Sequence, residues 1–301
     1  MRVGITGASG MIGSALAAAL TANGHQVVAF VRRDSQSPDE IPWRPGSPLD
    51  PALLHGLDGI VHLAGAGIGD KRWTDAYKQQ ILGSRVDGTT TIATAMAHAT
   101  EGPRVLVNGS AIGYYGDTGD RITDETGPKG EGFLADVVQQ WEAATAPAQD
   151  AGVRVAFART GLVVSGDGGA WQKLLPIFKA GVGGKLGSGK QYWSPISLND
   201  EVRALRHLLE HDIHGPVNLV GPDPIPNAEV TKVMGEVLRR PTVLPVPAFA
   251  LKVVLGEFAQ DTLASQRIVP GVLERTGFSW EQPDVASMIR AAESVKRLRN
   301  A

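Results

Sequence analysis

The chain contains no cysteine. That excludes disulfides, thiolate nucleophiles and cysteine-ligated metals. It also lacks any apolar run long enough for a membrane span, and its longest apolar helix candidate, PAFALKVVLGEFA, carries lysine and glutamate. A formal net charge of -2 offers no positive field to draw nucleic acid or an anionic lipid surface. Met1-Arg2 leads straight into VGITGASG, without the apolar stretch and cleavage site of an export signal. We therefore expect a cytoplasmic enzyme or binding protein, with neither nucleic acid nor membrane as partner. Internal repeats and low-complexity tracts are absent as well.

What is there is an ordinary globular composition, 301 residues with 43% hydrophobic and 20% charged. That length supports one large domain or two unequal ones. Strand and helix signals alternate through the first half. Strands are expected at 3–5, 25–33, 59–65, 103–111 and 153–164. Helices are expected at 14–24, at 74–99 with an interruption near Gly83, and at 132–152. Residues 34–51 read as a loop rich in proline and glycine. Short apolar strands separated by helices predict an α/β protein with a doubly wound parallel sheet covered on both faces. The second half brings glycine-rich loops, GDGG and GVGGKLGSGK, around a short helix. The helix SLNDEVRALRHLLEH, with Asn199 and Asp200 at its start, the strand VNLVG and two later helices follow. We expect a sheet domain over 1–164 and a smaller domain over 165–301, with residues near 190–221 returning to the first.

The strongest motif is GITGASGMIGSALAAAL. It sets Gly7, Gly10 and Gly13 between the first strand and the first helix. Gly7 permits the tight turn, Gly10 lets the backbone approach a pyrophosphate, and Gly13 lets helix and strand pack closely. Ser9, Met11 and Ile12 complete the loop, and the helix N-terminus faces the phosphates. The spacing is G-x-x-G-x-x-G. Arg32 and Arg33 follow the second strand, where an NAD site usually carries an acid. Arginine suits a 2′-phosphate, so NADP(H) is the expected cofactor, with Arg32 the first candidate. In HLAGAG, the small residues around Leu63, Ala64 and Gly65 would let adenine or ribose lie on the backbone. Arg85, on the next helix, reads either as a cleft residue for a phosphate or carboxylate, or as a surface ion pair.

With TGASGMIG, HLAGAG, NGSAIGYYG and WSPISLNDEV in view, the chain resembles the extended short-chain dehydrogenase/reductase superfamily. It is most similar to an atypical, epimerase-like subgroup with its own C-terminal domain. The resemblance covers nearly the whole chain. It implies a Rossmann fold with the cofactor on the N-terminal sheet, the substrate between the two parts, and often a homodimer. It also implies a serine or threonine after the fourth strand, and a Tyr-x-x-x-Lys on the next helix.

That catalytic pattern is missing. None of Tyr77, Tyr114, Tyr115 and Tyr192 has lysine four residues on. Aligning Glu142 of QWEAA with the glutamate that usually follows the motif puts Leu134 at the tyrosine position and Val138 at the lysine position. Ser110, Tyr114, Tyr115 and Asp136 are the remaining candidates to serve a substrate oxygen. Tyr115 reads rather as a packed aromatic after the strand, and Ser110 equally as a loop hydrogen-bonder. Lys185, Lys190, Gln191 and Trp193 read as cleft lining or as plain loop and core. Asp117, Asp120, Asp124 and Glu125 read as a solvated run. His207, His211 and His214 read as a helix end favoured by the dipole, so no metal site is expected. Two functions stand. One is an NADP(H)-dependent oxidoreductase or nucleotide-sugar-epimerase-like enzyme acting on a carbonyl or secondary alcohol. The other is a non-catalytic NADPH-binding sensor or partner-binding protein.

Overall fold

Strands and helices alternate from the second residue. β1 (Arg2–Thr6) leads to α1 (Met11–Ala22), β2 (Gln26–Val31), β3 (Glu40–Pro42), β4 (Gly59–His62) and the long α2 (Asp75–His98). β5 (Val105–Ala111), a 3-10 turn at Ile112–Tyr115, α3 (Phe133–Ala143), α4 (Ala146–Asp150) and β6 (Arg154–Thr160) follow. Next come β7 (Leu162–Val164), α5 (Gly169–Lys179), β8 (Tyr192–Trp193), β9 (Pro195–Ser197), α6 (Leu198–Glu210) and β10 (Gly215–Leu219). The chain ends with β11 (Ile225–Pro226), α7 (Asn227–Leu238), α8 (Ala248–Leu255), α9 (Phe258–Leu263), α10 (Gly271–Arg275) and α11 (Val285–Arg299). The computed structural model describes residues 1–299, with side chains through 294.

Seven strands form one sheet in the order β10-β6-β5-β4-β1-β2-β3. Every pairing in it is parallel. Parallel neighbours need crossovers, and the helices supply them on both faces. Side chains alternate across each strand. Val3, Ile5, Val61 and Val107 therefore meet α1 and α6 on one face. Val28, Ile60 and Leu106 meet Ile92 and Met96 of α2 on the other. Chain order reverses between β1 and β4, the place where such sheets open a ligand cleft beyond their carboxyl ends. The smaller C-terminal subdomain holds two short sheets, β11-β8 and β7-β9. Its core gathers Trp171, Leu175, Phe178, Met234, Met288 and Ile289 from α5, α7 and α11.

Four local expectations change. The strand expected over 153–164 breaks at Gly161, because β6 belongs to the large sheet and β7 to a small one. Leu162 N–H donates to Ser194 O at 3.0 Å, drawing the chain across. A Cβ at Gly161 would lie 2.4 Å from that same oxygen. The helix expected over 132–152 splits at Ala144–Thr145, and Pro147 opens α4, where its missing N–H costs nothing. β3 falls in the expected loop; three residues are too few to show a period, and Pro42 is tolerated on an edge strand. α2 runs through Gly83 without interruption. Among the described residues, no helix is long and apolar enough to cross a membrane.

Gly161→Ala should therefore destabilise the protein by about 1–3 kcal/mol, the usual cost of overpacking. Urea unfolding reads this as a lower midpoint at constant slope. An unchanged midpoint would show that the crossover has slack.

Candidate functional site

Gly7 turns the chain out of β1 with φ 70°. Its carbonyl accepts from Gly10 N–H at 2.9 Å. A Cβ at Gly13 would lie 2.2 Å from Gly7 O, so helix and turn close only over glycine. A Cβ at Gly10 would meet only Gly7 O, at 3.2 Å, and otherwise open space. No side chain caps α1, and its first turn holds no acid. Its first backbone N–H groups are thus available to an anion. Ser9 and Gly10 are exposed, while Met11 and Ile12 are half-buried. The Met11 side chain reaches across to Gly168, where its sulfur lies 2.9 Å from the glycine's Cβ position. This cradle fits a dinucleotide pyrophosphate.

The two arginines after β2 differ. Arg33 clamps Glu40 with both terminal nitrogens, at 2.9 and 2.6 Å. Glu40 also accepts from Gln36 N–H, so this pair staples the turn into β3. Arg32 is exposed and has no hydrogen-bond or ion-pair partner among the described residues. Its guanidinium is the one free to meet a ligand.

Beside β1, the Thr6 hydroxyl accepts from Leu63 N–H and Ala64 N–H at 3.0 and 3.1 Å. Its own proton therefore goes to His62 Nδ1, 2.8 Å away. His62 is fully buried, and burial pushes its pKa down to about 3. The neutral ring fixes the loop of Leu63, Ala64 and Gly65 against the phosphate turn. Ser84 Oγ accepts from Ala66 N–H, and Arg85 Nη1 donates to Ala66 O at 2.9 Å. Arg85 is thus half-buried beside the loop, and no carboxylate pairs with it among the described residues.

At the end of β5 a chain of hydrogen bonds runs inward. Ser110 Oγ donates to Glu142 Oε1 at 2.6 Å. Arg159 grips Glu142 from Nε and Nη2, both at 2.8 Å. Arg159 Nη1 donates to Tyr115 Oη at 2.9 Å, and Tyr115 donates to Asn218 Oδ1 at 2.8 Å. Asn218 N–H in turn donates to Glu125. Tyr115 is fully buried, and burial drives its pKa up to about 12. Of the sequence candidates, Tyr115 is thus a core strut, with no free hydroxyl for a substrate. Tyr114 is half-buried and stacks on Arg159, 3.6 Å from ring centre to guanidinium carbon. Asp136 is exposed and paired with Lys129 at 2.6 Å. Leu134 faces Gly113, and Val138 is buried. Neither offers a proton.

The sequence reading missed Glu142 as more than a landmark, and Arg159 altogether. An arginine set in the apolar run VRVAFARTG was the signal available. Glu125 is buried where a solvated run was expected, accepting from Asn218 N–H and Val272 N–H. Gln191 is buried and donates to Leu186 O, a loop-holding role. Ser197, not Asn199 or Asp200, caps α6 by accepting from Asp200 N–H. His207 and His211 stack at 4.0 Å, and no group of three metal-ligating side chains exists among the described residues. Glu201, also missed, is fully buried in the first turn of α6 and accepts from Thr160 Oγ1 at 2.7 Å. Burial pushes its pKa up to about 8 despite that hydrogen bond.

A parallel doubly wound sheet with a glycine cradle at its switch point defines a Rossmann-type dinucleotide-binding protein. Residues 3–221 match the model of the NAD dependent epimerase/dehydratase family, and residues 246–292 match a domain of unknown function, DUF1731. The chain belongs to the NAD dependent epimerase/dehydratase family. Epimerase family protein ML0860 of Mycobacterium leprae is 44% identical over 293 residues, covering 96% of this chain and 95% of that protein. The crystal structure of human epimerase family protein SDR39U1 (isoform 2) with NADPH is similar at TM-score 0.89 and 32% identity, covering 97% of this chain and 99% of that one. A nucleoside-diphosphate sugar epimerase structure from Corynebacterium glutamicum is similar at TM-score 0.79 and 35% identity. That match covers 99% of this chain and 61% of the other.

Tyr115→Phe leaves Arg159 Nη1 and Asn218 Oδ1 without their partner. It should cost about 1–3 kcal/mol in urea unfolding; no loss would mean that the hydroxyl is not a strut. Glu201 makes stability pH-dependent. Its folded pKa is raised, so its contribution is complete below the ordinary value of 4.5 and is lost as pH rises through about 8. Wild-type stability should fall across that window more steeply than that of Glu201→Gln, and parallel curves would refute a buried acid.

Proposed function

We propose that the chain is an NADP(H)-dependent oxidoreductase or nucleotide-sugar-epimerase-like enzyme acting on a carbonyl or secondary alcohol of a small-molecule substrate. The observation that carries the cofactor choice is the exposed, unpartnered guanidinium of Arg32 at the end of β2, beside the glycine cradle. Gly7, Ser9, Gly10, Met11, Ile12 and Gly13 hold the pyrophosphate. Arg32 meets the 2′-phosphate, while Arg33 holds the turn through Glu40. The backbone of Leu63, Ala64 and Gly65 lies against the adenine or a ribose of the cofactor. The human relative crystallised with NADPH supports this reading.

When bound, the cofactor gives or takes a hydride at its nicotinamide. The chain's own residues set the surroundings. Ser110 spends its proton on Glu142, so its lone pairs are left to accept from a substrate hydroxyl. Tyr114, stacked on Arg159, is the other candidate for the substrate oxygen. A second reading, a non-catalytic NADPH-binding sensor or partner-binding protein, is favoured by Leu134 and Val138, which replace both groups of the usual proton relay. Turnover of NADPH by a panel of carbonyl compounds separates the two. The proposal includes a cytoplasmic location and a homodimer, the latter testable by light scattering.

Parallel fluorescence titrations with NADPH and NADH test the cofactor assignment. NADPH should bind much more tightly. Arg32→Ala should lose about tenfold or more for NADPH, the scale of one charge-assisted hydrogen-bonded contact, and little for NADH. Equal losses for both would remove Arg32 as the discriminator, and failure to bind either would remove the reading.

A further inference from the structure

The lysine that the superfamily carries on the helix after β5 holds the nicotinamide ribose. Here that position is Val138, buried on α3. The helix therefore brings no cation to the cleft. A cation arrives instead from α2. Arg85 lays its guanidinium carbon 4.9 Å from the centre of the Trp141 ring. Trp141 lies three residues after Val138 on α3, so the two share one face. The indole is itself pinned beneath β5, because a Cβ at Gly109 would lie 3.0 Å from it.

Two hydrogen bonds fix the guanidinium. It lies beside Gly65, where a Cβ would stand 3.4 Å from the guanidinium carbon, in ordinary contact. Nη1 donates to Ala66 O at 2.9 Å and to Ile81 O at 3.1 Å. Stacking on Trp141 sets the plane of the fork. The remaining edge, Nε and Nη2, donates to nothing among the described residues. Burial draws the pKa down to about 10, which still leaves Arg85 charged at neutral pH. A partly desolvated cation without a counter-ion is costly unless a ligand completes it. A planar fork with one free edge suits a pair of adjacent oxygens.

Resting on the cofactor reading above, we propose that Arg85 replaces the missing lysine from the neighbouring helix, its free edge holding the hydroxyls of the nicotinamide ribose. Arg85 is thus a positioning residue that orients the nicotinamide half of the cofactor, while Arg32 serves the adenosine half. The free edge carries two donors against the lysine's single charge centre. Arginine also stays protonated throughout, so it can orient and stabilise but takes no part in a proton relay.

The two halves of the cofactor can be tested apart. Wild type, Arg85→Ala, Arg85→Lys and Arg32→Ala are titrated by calorimetry with NADPH and with 2′,5′-ADP, which lacks the nicotinamide ribose. Arg85→Ala should weaken NADPH by about tenfold or more and leave 2′,5′-ADP within about twofold, while Arg85→Lys recovers part of the loss. Arg32→Ala should weaken both ligands in parallel. If Arg85→Ala weakens both ligands equally, or neither, the assignment of Arg85 is overturned and the cofactor reading survives. If Arg85→Ala does not fold, Arg85→Lys carries the test, with a loss confined to NADPH expected and parity between the ligands against it. Wild type binding neither ligand overturns the cofactor reading itself.

Discussion

The Glu142–Arg159 pair ties α3 to the carboxyl ends of β5 and β6. Its side chains are 11% and 4% exposed, so both charges have left water. Desolvation of that kind is repaid only by good geometry and by satisfying the remaining donors and acceptors. Both conditions are met here. The grip is bidentate, Ser110 fills the Glu142 oxygen on one side, and Tyr115 takes the last Arg159 nitrogen on the other. Five segments are tied together here: α3 through Glu142, β6 through Arg159, β5 through Ser110, the 3-10 turn through Tyr115, and β10 through Asn218 on Tyr115. Leaving either charge alone would cost about 3–5 kcal/mol, a large share of a typical domain's stability.

A division of labour follows. On the β4 side, a neutral buried histidine and a threonine shape the loop around Ala64 by hydrogen bonds alone. On the β5 side, a buried ion pair shapes the position of Ser110. Between them, the helix faces toward Leu134 and Val138 carry no charge. On α3 itself, the two positions where the superfamily usually keeps its tyrosine and lysine are therefore apolar.

Much of this was legible in the sequence. The glycine trio announced the turn, because no other residue permits the Gly7–Gly13 approach. Apolar runs announced the central strands, and the absence of a Tyr-x-x-x-Lys was plain. Partnership was not legible. Arg32 and Arg33 look alike in sequence, and only the distant Glu40 separates the bound one from the free one. Tyr115 and Tyr114 are neighbours, yet the 3-10 turn sends one into the core and leaves the other half outside. Glu142, Arg159, Asn218 and Glu125 are far apart in the chain, so no local pattern could join them. Short strands such as β3 were hidden because two or three residues show no period.

The placement of β10 has a consequence for how the chain acquires this structure. β6 ends at Thr160, but the strand that covers its outer edge begins at Gly215 and ends at Leu219. During synthesis, the first six strands of the large sheet can be complete while that edge still presents unpaired N–H and C=O groups. Asn218, which completes the Tyr115 hydrogen bond, arrives on the same late strand. A chain elongated only that far would present an open, aggregation-prone flank and an unfinished buried hydrogen-bond network. One strand, arriving late, closes both.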